Sequence, residues 1–333
     1  MSARIRGPIA VGIAVASLLL AQPAAANGWD ICGQWTAGAH ALYLTPIACP
    51  HAYASAIVLT AAPNVTSLGG QAAVIPCRAD WGFRVFGNYD NDCLFAALSY
   101  QWFEVTTTRS ISGENVRLQG STNGGAGRAT GQTGIEYQNV DVRVGQSLLR
   151  GCGVNLYWYG NARWIDLSYR RSARIVFSTA NFFPEDVQEK SQLEGSAIGI
   201  GFGGELDVWC NFGAFVDGNV LGVIGNRSLR NVRFRGFQQG PSLMNFPIER
   251  QESYPSETCV IPEVNFRIGI SYTYVCGCWE LVGELGYEVD YFWHASVFPD
   301  LASNNMVLNS RDFVPVCEDL GFSGLFFGAR LIY

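Results

Sequence analysis

The chain has 333 residues, a net charge of −6, 13% aromatic residues, 38 glycines, 10 cysteines and 3 histidines. Charged residues make up only 15%, below the roughly 25% usual for soluble domains, and the acidic balance excludes a basic nucleic-acid surface. The cysteines have no zinc-like spacing with His40, His51 or His294, so neither a metal nor a cofactor is expected.

Met1 to Ala26 reads as a secretory signal. Arg4 and Arg6 give the positive start, Ile9 to Leu20 the apolar centre, and Ala24-Ala25-Ala26 the small-residue cleavage site. The mature chain is expected to run over 27–333 as one domain. No other stretch approaches the roughly 18 apolar residues of a membrane helix, so a membrane form must cross with strands. Export together with 10 cysteines implies an oxidising compartment and disulfides.

In chain order, Gln34 to Leu44 alternates Trp35, Ala37, Ala39, Ala41 and Tyr43 with polar or small partners, which is the period of a strand. Thr45 to Asp80 reads as a long connection. Trp81 to Tyr89 and Leu94 to Trp102 form the next two strands around an Asp90-Asn91-Asp92 turn, and Thr106 to Gly131 a Gly-, Ser- and Thr-rich loop. A strand follows from Ile135 to Gln146, where Tyr137 and Val140 fall out of phase and suggest a bulge. Val154 to Tyr169 has the least clean pattern, and Ser172 to Glu194 is a polar loop. Ile198 to Val208 alternates apolar residues with Gly199, Gly201, Gly203, Glu205 and Asp207. After a Cys210-Asn211 turn a strand runs from Phe212 to Ile224, followed by a proline-bearing loop.

The last third has the clearest pattern. Val260, Val264, Phe266, Ile268, Ile270, Tyr272 and Tyr274 share one face, then Trp279, Leu281, Leu285, Tyr287, Val289, Tyr291 and Trp293 another, and finally Leu325, Phe327, Leu331 and Tyr333. A soluble sandwich with one buried face produces the same alternation. Short turns near Asp90, Arg150, Cys210 and Gly277 alternate with long loops, which is the habit of outer-membrane barrels. The expected fold is therefore all-β: an antiparallel transmembrane β-barrel of ten strands, or twelve if a loop such as Arg230 to Phe237 hides a hairpin.

Such a barrel points Arg84, Glu205, Asp207, Glu263, Arg267, Glu280, Glu284, Glu288, Asp290 and Arg330 inward as a candidate pore lining. Carboxylates are in excess, which would favour cations. The residues leave open a pore or a narrow lumen plugged by these groups pairing with one another. Cys49 with Cys77, and Cys259 with Cys317, are the disulfide candidates; Cys32, Cys93, Cys152, Cys210, Cys276 and Cys278 fall at the periplasmic rim. His294 beside Asp290 has no evident nucleophile and no Gly-x-Ser-x-Gly elbow occurs, so no catalytic residues and no enzyme are expected.

Tyr137-Gln138-Asn139-Val140-Asp141, Ala197-Ile198-Gly199, Gly286-Tyr287-Glu288 with Trp293, and Asp319 to Phe326 running on to Tyr333 resemble the Legionella-type pore-forming major outer-membrane proteins, a family with relatives in chlamydia-like bacteria. The resemblance covers most of the mature chain and implies an outer-membrane barrel, export and pore formation, with no catalytic residues. Gly328, Leu331 and Tyr333 also fit the terminal signal by which barrel-assembly machinery recognises its clients, although Phe326 stands where a polar residue is usual. The partners expected are outer-membrane lipid, that machinery and, given the cysteines, disulfide-linked envelope proteins. The reading is a porin, or alternatively a disulfide-linked structural or adhesive surface protein.

Overall fold

The computed structural model of the protein describes residues 33–48, 51–58, 69–91, 94–118, 125–151, 153–178, 184–209, 211–239, 245–252, 256–299 and 315–333. The expected signal segment, Cys32, Cys49, Cys93, Cys152 and Cys210 lie outside these residues. The strands are β1 (Gln34–Ala48), β2 (His51–Val58), β3 (Gly69–Ile75), β4 (Asp80–Asp90), β5 (Leu94–Leu118), β6 (Gly125–Gly151), β7 (Val154–Phe177), β8 (Glu185–Trp209), β9 (Phe212–Gln239), β10 (Asn245–Glu252), β11 (Glu257–Cys276), β12 (Trp279–Pro299) and β13 (Pro315–Ile332).

Ten of these close a ring in the order β1, β4, β5, β6, β7, β8, β9, β11, β12, β13, with β13 pairing back to β1. Closure satisfies every backbone group within the wall, which is the only way strands can stand in lipid. The twelve-strand alternative is not realised. β10 pairs only with β9, and β2 and β3 form a hairpin that joins β5. Both lie outside the ring.

Register fixes the two faces. His40 stands opposite Arg84, Arg84 opposite Gln101 and Gln101 opposite Asn139, so all four point inward. The residues between them point out. The outward apolar side chains of β8, Ile198, Ile200, Phe202 and Leu206, are exposed, as are Phe266, Ile268 and Ile270 on β11. Two aromatic girdles bound the belt. At the turn end Trp35 packs on Tyr89 (4.8 Å), Phe212 on Tyr272 (4.9 Å) and Trp279 on Tyr333 (4.6 Å); at the other end Tyr43 packs on Trp81 (4.9 Å) and Tyr291 on Trp293 (5.0 Å). A belt of this kind, about 25 Å tall between aromatic rings, matches the hydrocarbon of an outer membrane.

The long connections read from sequence are corrected. Thr45 to Asp80 contains β2 and β3, Thr106 to Gly131 is largely the extended ends of β5 and β6, and Ser172 to Glu194 carries the ends of β7 and β8. Above the outer girdle the outward face turns polar, with Arg170, Gln188 and Lys190. The inward face mixes a second buried apolar cluster, with Val116, Ile175 and Val187, with buried polar groups such as Arg171 and Glu189, so the apolar alternation that marks a strand in lipid is lost while the hydrogen-bonded ladder continues. The bulge expected at Tyr137 and Val140 is absent: β5 and β6 stay in register from Leu94↔Gln146 to Gly113↔Gly127. Tyr137 is simply an apolar residue facing inward.

Candidate functional site: the barrel lumen

All ten predicted lining residues sit on the inward face, but they do not line an open channel. From the turn end upward, the interior divides into a polar half and an apolar half. The polar half encloses a cavity of about 250 Å³ lined by His40, Arg84, Arg143, Arg267, Glu284 and Arg330 among others. Its mouth is ringed by Gln34, Asp90 and Arg150, next to the exposed Asp207. Because short turns of bacterial barrels face the periplasm, this vestibule opens on the periplasmic side.

Its charges are cross-braced. Arg84 donates to Gln101 (2.6 Å) and Glu288 (2.7 Å), and His40 shares a 2.6 Å hydrogen bond with Glu284. Arg143 reaches Asp141 and Asp217, each at 3.0 Å, and Asp217 also accepts from Tyr159 (2.9 Å). Arg330 spans from β13 to Glu205 on β8 (3.3 Å) and holds Glu284 (3.1 Å). Arg163 binds Glu263 directly, stands 3.1 Å from Asp141 and lies 3.7 Å from Asp290. Glu280 sits near the periplasmic turn, half-buried.

Sequence reasoning missed Arg143 and Arg163. Their strands, β6 and β7, carry apolar residues on both faces, so the inward phase was obscured. The acidic excess accordingly lies at the rim, in Asp207 and Glu280, and behind the lining, in Glu263 and Asp290; in the cavity lining itself guanidinium groups outnumber the carboxylates, six to five.

Aromatic rings lie flat against the vestibule wall over glycines of the neighbouring strand. A Cβ on Gly201 would stand 2.3 Å from the Tyr159 ring, one on Gly203 2.4 Å from Tyr157, and one on Gly286 2.5 Å from Phe326. The missing side chains leave room for a ring that lines the chamber instead of filling it.

Above, the lumen is closed. Leu42, Phe103, Ile135, Tyr137, Ile165, Leu221, Phe292 and Phe322 form one buried apolar cluster. Tyr137 stacks on Phe322 (4.9 Å) and, across the ring, meets Phe292 (5.7 Å) and donates to Asp290 (2.9 Å). β6 and β12 stand five places apart in the ten-strand ring, so this contact spans the full bore.

A roof covers the plug. At His294, whose φ is 55°, β12 leaves β11: their pairing ends at Glu263↔Phe292, while β12 continues with β13 to Pro299↔Pro315. Beyond the bend Ala295, Ser296, Val297 and Phe298 are buried, the Val297 N–H donates to Ser191 Oγ (3.0 Å), and Phe298 packs on Tyr169 (5.0 Å) and under the Arg171 guanidinium (3.6 Å). Arg171 also pairs with Glu318. The bend is clamped by Asp319, which accepts from the His294 N–H and from Tyr291, each at 2.8 Å. The His294–Asp290 pair noted in sequence is not assembled, since Asp290 is buried below with Arg163 and Tyr137.

Beside Arg171, Glu189 is buried with neither carboxylate oxygen hydrogen-bonded among the described residues. Here the outward face is already polar, with Arg170, Gln188 and Lys190, so the group lies outside the membrane belt. Burial pushes its carboxyl up to about 7, Arg171 pulling it down and Glu318 adding to the rise.

The Cys259–Cys317 bridge is not formed in the structure. Cys259 on β11 turns its thiol to the Gly225 carbonyl of β9 (3.7 Å), while Cys317 lies on β13, with β12 between. Cys77 is exposed, and its proposed partner Cys49 lies outside the described residues. Cys276 and Cys278 are exposed thiols flanking the Gly277 turn.

The model of the family described as Legionella pneumophila major outer membrane protein precursor matches residues 28–333. The chain belongs to this family. Membership and the lipid-facing belt place this major outer membrane protein relative in the bacterial outer membrane. Among solved structures it is similar to the outer membrane protease OmpT of Escherichia coli, with TM-score 0.43 and 10% identity over 90% of this chain and 96% of that one. It is also similar to the Pseudomonas putida toluene transporter TodX, with TM-score 0.31 and 9% identity over 92% and 90%. A Pseudomonas aeruginosa FadL homologue matches with TM-score 0.24 and 8% identity over 90% and 89%. No curated protein matches in sequence.

Proposed function

We propose that this family member is a pore-forming outer-membrane protein for small polar solutes, seen with its lumen closed. The observation that carries the reading is the division of the interior: a polar chamber open to the periplasm ends on an apolar plug roofed by the inward-turned end of β12. A barrel serving only as scaffold has no use for a chamber in which buried polar atoms such as Arg84 Nη1 and Asn265 Oδ1 lack protein partners among the described residues. Apolar constrictions gate pores by excluding water, so the plug needs only to part or wet for conduction. The cation preference expected from the carboxylate count is not a property of the cavity surface.

Planar-bilayer recording tests this directly. Wild-type protein is expected to open rarely, and Phe322→Ser, which puts a hydroxyl into the plug, or Phe298→Ala, which loosens the roof, to open often. If neither variant conducts, the pore reading fails. A structural or adhesive role is the second reading, favoured by the filled outer half of the lumen and by the exposed Cys276 and Cys278 thiols. Disulfide-linked multimers on a non-reducing gel, with no conductance from any variant, would establish it. Neither reading involves catalysis.

A further inference from the structure

We infer that Arg267, with Arg84 and Arg143, forms a binding site for a small carboxylate in the periplasmic vestibule. This deepens the proposed function by naming a solute class for its chamber, and it rests on that chamber being reached from the periplasm. Arg267 is the vestibule cation without a close anion. Its nearest carboxylate is Glu288, 3.9 Å from Nε, and Glu288 is already held by Arg84 at 2.7 Å. No hydrogen bond satisfies Arg267 among the described residues, and its Nε is buried without a partner.

The other carboxylates of the lining are likewise taken: Asp141 and Asp217 by Arg143, Glu284 by His40 and Arg330, Glu205 by Arg330, and Asp90 by Arg150. Arg84 and Arg143 line the same cavity as Arg267, so three guanidinium groups border one chamber. Arg84 is 6% exposed, and its Nη1 is also without a partner. Arg267 lies over the Phe326 ring (4.9 Å to the centroid), which puts an apolar surface beside its fork. A planar carboxylate matches that fork with two parallel hydrogen bonds, and the rings of Phe86 and Phe215 in the same lining suit a short apolar body.

The test uses the folded barrel in detergent micelles, with ¹³C-labelled benzoate and acetate as probes and line broadening as the readout. Wild type is expected to broaden the probe saturably, with chloride at equal ionic strength competing poorly. Arg267→Gln should weaken binding at least tenfold. Arg267→Lys, which keeps the charge but loses the fork, should weaken it several-fold. Glu280→Gln, at the rim, should leave it unchanged. Heat-modifiable gel mobility verifies that each variant is folded. Unsaturable broadening, equal displacement by chloride, or a folded Arg267→Gln or Arg267→Lys variant that binds like wild type would overturn the inference. Conduction is not needed for this measurement. Saturable binding in a protein that never conducts would therefore keep the site and reject the pore, and conduction without binding would do the reverse.

Discussion

Replacing Arg163 by Gln is expected to be among the most destabilising single changes in the barrel. Arg163 is 4% exposed and serves three acids, Glu263, Asp141 and Asp290. What each loses differs. Asp141 keeps Arg143 at 3.0 Å, and Asp290 keeps the Tyr137 hydroxyl at 2.9 Å. Glu263, 0% exposed, has no other cation partner among the described residues. One fully buried carboxylate is therefore stranded, and breaking a buried pair from one side costs about 3–5 kcal/mol. Glu263→Gln should cost less, on the order of 1–2 kcal/mol, because Arg163 retains two carboxylates and the amide keeps most of the volume. The double variant should then be more stable than Arg163→Gln alone, since the stranded charge is gone. Urea unfolding of the barrel in micelles, followed by tryptophan emission, measures all three. The reasoning is refuted if Arg163→Gln costs no more than Glu263→Gln, or if the second substitution fails to restore stability.

Three further predictions follow from other parts of the molecule. Glu189, with its carboxyl near 7 in the folded barrel and an ordinary value of 4.5 when unfolded, holds a proton in the folded state that the unfolded chain has released. Stability from this group is present below about pH 4.5 and is lost as pH rises through 7; the unfolding midpoint should fall between pH 5 and 8, and Glu189→Gln should flatten that fall, whereas an unchanged slope would show that the group does not titrate there. At the barrel seam a Cβ on Gly328 would stand 2.0 Å from the Ala39 carbonyl oxygen, while one on Gly222 meets nothing within 4 Å. Gly328→Val should abolish the heat-modifiable folded band and Gly222→Ala should leave it; a folded Gly328→Val barrel would refute the seam geometry. Finally, Cys276 and Cys278 should resist a membrane-impermeant maleimide on intact cells and react once the outer membrane is permeabilised, and labelling of intact cells would invert the proposed orientation.

The legible part of the fold was the part in lipid. Where one face meets hydrocarbon and the other a polar chamber, as along Phe266 to Tyr274 with Arg267, Ser271 and Thr273 between, alternation identifies the strand and its phase. Arg84, Glu263, Glu288 and Asp290, named from that phase, are buried inside the barrel. Where the contrast between faces vanishes, so does the signal. In the outer half of the bore Ile165, Leu167 and Tyr169 face a buried cluster while Trp158 and Trp164 lower on the same strand face lipid, and this made β7 the least regular segment and hid Arg163. Above the membrane the outward face is polar and the inward face mixes Val116, Ile175 and Val187 with buried Arg171 and Glu189, and the strand ends passed for loops. The roof was illegible for a different reason: it depends on one left-handed residue, His294, and on contacts with Ser191 and Tyr169, which are distant in sequence.

Strand number sets the bore, and within it the flat aromatic rings seated over glycines make the chamber's shape a property of residue pairs on adjacent strands. Exchanging Gly201 for a larger residue and Tyr159 for a smaller one would move bulk from one staff of the barrel to the next without altering register. Relatives with the same architecture are thereby free to offer differently shaped interiors, one pair at a time, with the hydrogen-bonded shell untouched.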